Sequence, residues 1–355
     1  MNNFKQQAKA LIHPLTALAI GLIIGAIAIL LIGGSVLDTY GQMWKGAFGS
    51  TYFLTNTLTR AVPIIFIGLG LALAFRAGFF NLGAEGQLVL GGVAAALTAL
   101  YLPGPGWVKL IGALLAGIVS GGLWSAFAGW LDAKFKVNLL ITTLLLNYVA
   151  TLLAGYLVAN PFKDTKGSAA LAQSAMIDKS TWLPKLMAGS SLHVGFIIAV
   201  IATIVLFWMM RSTVFGYEMN MTGSNPFFAM YGGVKSVSMV VTTMFISGGL
   251  AGLAGAVEVL GMQYRYLDGA LTSPNYAWSG LMAALLAGSN PIGTALAAVL
   301  LAALQTGAMG VERNTEVPLE IASVIQAVIV VFVSAKISYA FIKRKKGRNS
   351  NGTAA

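Results

Sequence analysis

The stretch Phe75-Arg76-Ala77-Gly78-Phe79-Phe80-Asn81-Leu82-Gly83-Ala84-Glu85-Gly86-Gln87 breaks a long apolar run with Arg76, Asn81, Glu85, Gln87 and three glycines. Lipid offers no hydrogen bonds to polar side chains or to irregular backbone. Such a break survives at membrane depth only where protein or a water-filled cavity covers it. Two readings are open. The stretch is either a tight cytoplasmic turn between two spanning helices or a broken helix lining a transport path near the midplane.

The composition around it decides the class. The chain has 355 residues, 57% of them hydrophobic and only 9% charged, against about 25% charged in soluble proteins. So few charges cannot cover a water-facing surface, which makes this an all-α integral membrane protein. The chain has no cysteine, which excludes disulfides, thiolate metal sites and a lipoprotein anchor. His13 and His193 each sit beside the start of an apolar run with no ligand cluster around them, so they read as interfacial residues and no metal site is expected. The net charge of +11 is explained by the excess of Lys and Arg on cytoplasmic loops rather than by nucleic acid.

Hydropathy places spans at Leu15–Ile32, Ala61–Phe75, about Gly86–Leu100, Val108–Trp130, Leu139–Val158, Leu192–Met210, Val237–Leu260, Ser279–Ala287, Ile292–Ala308 and Leu319–Ile342. That is about ten, at roughly 20 residues each with one shorter. Asp38–Asn56 reads as a polar-aromatic external segment and residues 159–191 as a partly ordered external loop. Residues 211–236 read as a cytoplasmic loop and residues 343–355 as a basic cytoplasmic tail. Thirteen of the 22 Lys and Arg fall on the side that carries both termini, so both termini are expected in the cytoplasm.

A second polar interruption, Gln263-Tyr264-Arg265-Tyr266-Leu267-Asp268 and then Ser273-Pro274-Asn275-Tyr276-Ala277-Trp278, follows the seventh span as the first follows the second. Five spans per half require the second half to be inverted, and matching breaks in inverted halves point to a path at their interface. The path candidates are therefore Phe79, Phe80, Asn81, Glu85, Gln87, Tyr264, Asn275, Tyr276 and Trp278. The small-residue runs Gly117–Gly121 and Gly248–Gly252 are read as close helix packing, without chemistry.

No phosphate-binding loop, His-Glu-x-x-His or nucleophile elbow occurs, so neither ATP binding nor hydrolysis is expected of this chain itself. Only Glu85 and Glu258 offer acidic groups within spans, which fits a permease driven by a separate motor better than an ion-coupled carrier. Glu85 is placed at a helix start, where the dipole favours a carboxylate. In the cytoplasmic loop, Ser224 or Asn225 can cap a helix that Pro226 begins and Gly232-Gly233 end. Its aromatics Phe227, Phe228 and Tyr231 suit a protein partner, or alternatively lipid headgroups.

At both places the sequence resembles the permease subunits of ATP-binding-cassette (ABC) importers of the ribose and branched-chain amino acid group, closest to the nucleoside-type branch. Arg76–Gln87 looks like the family signature. The loop is similar to the family's coupling loop at Gly216, Gly223, Asn225, Pro226, Ala229, Tyr231 and Gly233, and Ser289-Asn290-Pro291-Ile292-Gly293 also matches. Asn220, Met221 and Phe228 depart from the pattern, where arginine and alanines are common. The resemblance implies one permease domain over residues 1–355, of the type II importer kind, in a bacterial cell membrane. It further implies a homologous second permease, a cytoplasmic ATPase that holds the ATP and Mg, and an external substrate-binding protein. The coupling residues it implies are those seven, to which Phe227 and Phe228 are added as aromatics in a water-facing loop, and the substrate it implies is a nucleoside, with a simple sugar as the alternative. On this reading the path aromatics stack on the solute while Asn81 and Asn275 hydrogen-bond to it.

Overall fold

The computed structural model describes residues 19–165 and 171–314, together with 324 and 328. Among these the protein is helical, with two isolated β-bridges, Gln173 to Leu267 and Lys185 to His193. The helices are α1 (Ala19–Leu31), α2 (Val36–Phe48), α3 (Thr51–Arg76), α4 (Ala84–Tyr101), α5 (Gly106–Phe135), α6 (Leu139–Ala159), α7 (Gly195–Ser212), α8 (Val214–Ser224), α9 (Pro226–Tyr231), α10 (Ser236–Glu258), α11 (Tyr276–Leu286) and α12 (Pro291–Asn314). Seven helices are long and apolar enough to span a bilayer: α3 to α7, α10 with its extension to Gln263, and α12. The predicted first and eighth spans correspond to the shorter apolar helices α1 and α11. The predicted last span, Leu319–Ile342, and the basic tail lie outside the described residues.

Three boundaries differ from the hydropathy reading. The segment 38–56 is largely helical, because Ser35 caps α2 by accepting from the Asp38 amide and α3 already starts at Thr51. The polar residues that masked this start are threonines, and Thr57 donates from Oγ1 to the Ala47 carbonyl inside the protein. Residues 211–236, read from sequence as a cytoplasmic loop, contain α8, capped by Thr213, which hydropathy could not separate from its polar flanks. The seventh span, expected to end at Leu260, runs on to Gln263 through a π-turn over Val259–Gln263.

The chain divides into two compact units. One comprises Met1–Thr57, Leu285–Ala287 and Leu300–Ala355. Within it Gly46 of α2 and Gly310 of α12 touch backbone to backbone, and Thr57 bonds Thr306 at 2.7 Å. The other comprises Leu58–Ala284 and Gly288–Val299 and holds every candidate site residue. At its centre α4, α5 and α10 pack together. A Cβ on Gly252 of α10 would lie 2.1 Å from the Gly117 carbonyl, and one on Gly91 would lie 2.3 Å from Gly252. Glycine is required there because in lipid helices must gain their contacts by close approach. The small-residue runs thus do what was expected of them. Within the apolar windows, 83% of α3 and 72% of α10 are buried against 28% of α5, α6 and α7. The first two are core helices, and the other three turn most of their surface outward.

Candidate functional site

The first interruption begins at the surface, with Arg76, Gly78 and Phe80 exposed, and runs inward to the buried Asn81. α3 ends at Arg76, Gly78 turns the chain at φ +84°, and the segment to Gly83 runs without helix before α4 begins at Ala84. Asn81 is fully buried and donates to Ser247, which lies near the middle of the 28-residue span Ser236–Gln263. The break therefore lies against the middle of that helix.

Side chains replace the missing helical ladder. Asn81 Nδ2 donates to Gln87 Oε1 at 3.0 Å, and Gln87 Nε2 donates back to Asn81 Oδ1 at 3.0 Å. Asn81 Oδ1 also accepts from the Gly83 amide at 2.9 Å. From α6, Thr143 Oγ1 accepts from the Leu82 amide, while Asn147 donates to the Leu82 carbonyl and accepts from the Gly86 amide. Both donors and the acceptor of the Asn81 side chain are thereby occupied inside the protein, and Gln87 is equally buried.

Beside this knot lies a small cavity of about 20 Å³, lined by Leu71, Asn81, Leu82, Ala84, Glu85, Asn147, Ala277, Trp278 and Leu281. It unites the two interruptions, because Glu85 comes from one and Trp278 from the other. Glu85 is in the first turn of α4, as the helix-dipole argument expects. Its carboxylate has no hydrogen-bond partner among the described residues. The cavity thus has an indole and a carboxylate in its wall.

The other candidates fall elsewhere. Phe79 packs on the apolar cluster of Ala128, Leu139, Val240 and Met244, and Phe80 is exposed against Phe75. Tyr276 is buried with its hydroxyl donating to Glu258 Oε1 at 3.2 Å, and the positive charge of Arg60 acts on both. Asn275 serves as a turn residue at φ +55°. Tyr264 stacks on Trp182 of the 159–191 loop with ring centroids 3.8 Å apart. That loop is tied to the second interruption by backbone bonds from Ser174 to Tyr266, Ile177 to Tyr264 and Leu183 to Leu260. His193, taken from sequence as interfacial, is buried beneath this cap, and burial together with Lys185 lowers its pKa to about 4.

The loop candidates form a second assembly, at the opposite end of α10 from the cap. Asn225 caps α9, accepting from the Phe227 and Phe228 amides, with Pro226 in its first turn and Gly233 at φ +88° beyond its end. Ala229 is buried, whereas Phe227, Phe228 and Tyr231 are 75%, 63% and 93% exposed. Gly216 is buried in the first turn of α8. Gly223 is helical rather than at positive φ, and its need is closeness: a Cβ there would meet the Arg76 carbonyl at 2.1 Å. Arg76 in turn donates from Nε to Asn220 Oδ1 at 2.6 Å. The two motifs read separately from sequence touch each other.

Residues 53–334 match the family described as branched-chain amino acid transport system / permease component. The chain belongs to that family. The permease is 35% identical over 343 residues to the guanosine ABC transporter permease protein NupP of Bacillus subtilis, covering 96% of this chain and 98% of that one. It is 33% identical to the glucose ABC transporter permease protein TsgB13 of Haloferax volcanii, covering 93% and 88%. It is 30% identical to the nucleoside ABC transporter permease protein NupB of Lactococcus lactis, covering 95% and 93%. The permease is a multi-pass membrane transport component and not an enzyme.

Proposed function

We propose that the permease carries nucleosides across a bacterial plasma membrane as the translocating subunit of an ATP-driven importer. The observation that carries this reading is near full-length similarity to permeases named for guanosine and for nucleosides. The lining of the small cavity beside the knot supports it, because in an opened path the indole of Trp278 offers a face for a base and Glu85 an acceptor for its N–H groups. The glucose relative supports a second reading, a simple sugar.

In this proposal the seven long spans, α1, α11 and the apolar stretch 319–342 make ten crossings in two inverted halves, with both termini in the cytoplasm. A cytoplasmic ATPase binds α9, a homologous second permease completes the pore, and an external binding protein delivers the solute. The ATP and Mg belong to the ATPase. Closure of the motor moves α9 and with it α8, which bears directly on Arg76 and so on the segment that forms the knot.

Uptake of labelled guanosine, glucose and leucine by the reconstituted complex tests the reading. Guanosine uptake that stops on ATP depletion and survives an uncoupler is expected. Uptake that follows the uncoupler instead would identify an ion-coupled carrier, and glucose uptake alone would select the sugar reading.

A further inference from the structure

A second cavity, of about 330 Å³, lies at the capped end of α10 and is lined by Gln173, Gln263, Arg265, Leu267 and Ala270. It is distinct from the cavity beside the knot and shares no residue with it. Its size falls within the range of about 300–1,000 Å³ usual for small-molecule sites. Two polar groups in it are not spent on the protein. Gln263 Nε2 reaches the Ala270 carbonyl at 3.5 Å, but Gln263 Oε1 is buried with no hydrogen-bond partner among the described residues. Arg265 Nη1 donates to Gln173 Oε1 at 3.3 Å, which uses one of the five N–H donors of its guanidinium.

A buried acceptor without a donor is costly, so this wall is complete only when something donates to it. The chemistry of the lining narrows what that is. Gln263 Oε1 demands a donor, and the rest of the Arg265 fork demands acceptors. No acidic side chain is among the lining residues. An ammonium group would meet the guanidinium, and a bare anion would satisfy Arg265 while repelling the Gln263 oxygen. Neighbouring hydroxyls on a neutral ring do both, because each donates with its hydrogen and accepts with its lone pairs. Leu267 and Ala270 supply apolar surface for the ring carbons.

We infer that this cavity is a transit site that holds the imported solute by a neutral vicinal diol, with Gln263 accepting from one hydroxyl and Arg265 donating to its neighbour. On the nucleoside reading above, on which the identity of the solute rests, the diol is that of ribose. A hexose presents the same chemistry, and the test separates the two.

The chain has no native cysteine, so Ala270→Cys places a single reporter thiol in the cavity. The assembled permease–ATPase complex, without the external binding protein, is treated with a thiol reagent in the presence of guanosine, 2′,3′-dideoxyguanosine, glucose or leucine. Guanosine is expected to slow labelling, dideoxyguanosine and leucine to leave it unchanged, and Gln263→Leu to weaken the protection roughly tenfold through loss of one buried hydrogen bond. Uptake by the complete importer is measured in parallel. If guanosine is imported but protects no better than its dideoxy analogue, the diol site is refuted and nucleoside import stands. If glucose is imported in place of guanosine and protects, the nucleoside reading fails and the diol site stands. Protection that survives Gln263→Leu undiminished would overturn the assignment of Gln263.

Discussion

The knot around Asn81 and the cap around Tyr264 are both places where a helix stops inside apolar surroundings, and they are finished in opposite ways. At the knot, side chains of α4, α6 and α10 satisfy the irregular segment, so that the amides of Asn81 and Gln87 close a ring with each other while Asn147 holds the backbone at Leu82 and Gly86. At the cap, backbone of the 171–194 segment satisfies backbone of the 260–268 segment. Polar side-chain atoms there are left over, among them Gln263 Oε1 and His193 Nε2. A closed network specifies one geometry, whereas leftover atoms mark where a ligand or water belongs. The knot is closed on itself, and the cap keeps buried polar atoms without partners among the described residues.

The sharpest way to break that contrast is Asn81→Leu. It strands the Gln87 amide, the Ser247 hydroxyl and the Gly83 N–H, at about 1–3 kcal/mol for each buried group left unpaired. The variant is expected to lose several kcal/mol of stability and its transport with it, read as a lower melting temperature of the purified protein. Trp278→Ala, on the open side of the same cavity, should lower uptake with melting preserved. Equal melting of both variants and the wild type would show that the knot carries no structural load.

The cap should be the acid-sensitive region. His193 has a folded pKa of about 4 against 6.5 for a free imidazole, so between these values the unfolded chain binds the proton and the folded protein does not. Stability is therefore full above pH 6.5 and falls as the pH drops toward 4, at about 1.4 kcal/mol per unit at the steepest. His193→Gln should flatten that part of the melting profile. An unchanged profile would mean that the imidazole is reached by water.

Much of this was legible in the sequence because lipid punishes irregularity. The polar residues at 76–87 and 263–278 had to be covered, and both stretches do meet in one cavity through Glu85 and Trp278. The turn chemistry of Asn225-Pro226 and Gly232-Gly233 gave α9 to the residue. The partners were not legible. Asn147 and Ser247 are single polar residues inside apolar runs, a signal easily discounted as packing, yet they hold the broken segment in place. Arg60 looked like a loop charge because the start of α3 was hidden by threonines. Gln173 and Arg265 are far apart in sequence, and only the docking of the long loop brings them together. Side-chain destiny was the other blind spot, since Phe79 and Tyr276 read as path residues and are packed away from it.

Neither knot nor cap explains the third region, α9, whose aromatics point out of the described protein. Burying such a ring contributes about 1.5–3 kcal/mol, so Phe228→Asp is expected to weaken ATPase docking roughly tenfold or more. Substrate-stimulated ATPase activity and uptake should fall together while the permease melts normally. A variant that keeps its stimulated ATPase rate would place α9 on the lipid surface instead.

The smallest expected effect tests whether that region acts on the knot at all. Arg76 ends the helix that leads into the broken segment, and Asn220 accepts from its Nε across to α8. Asn220 also donates from Nδ2 to the Met210 and Gly216 carbonyls, so the link is cut from its other side: the bond is exposed, and Arg76→Met should cost only about 1 kcal/mol of stability, the usual net worth of one hydrogen bond. The backbone contact of Gly223 with Arg76 remains in that variant and keeps α8 in place. What changes is the stiffness of the link: motion of α8 is no longer passed to position 76 through a directed bond. The expected outcome is more ATP hydrolysed per solute imported, with ATPase docking and melting nearly unchanged. If the ratio of ATP to solute stays at the wild-type value, the backbone contact alone transmits the motion, and Gly223→Ala then becomes the substitution that must uncouple the two.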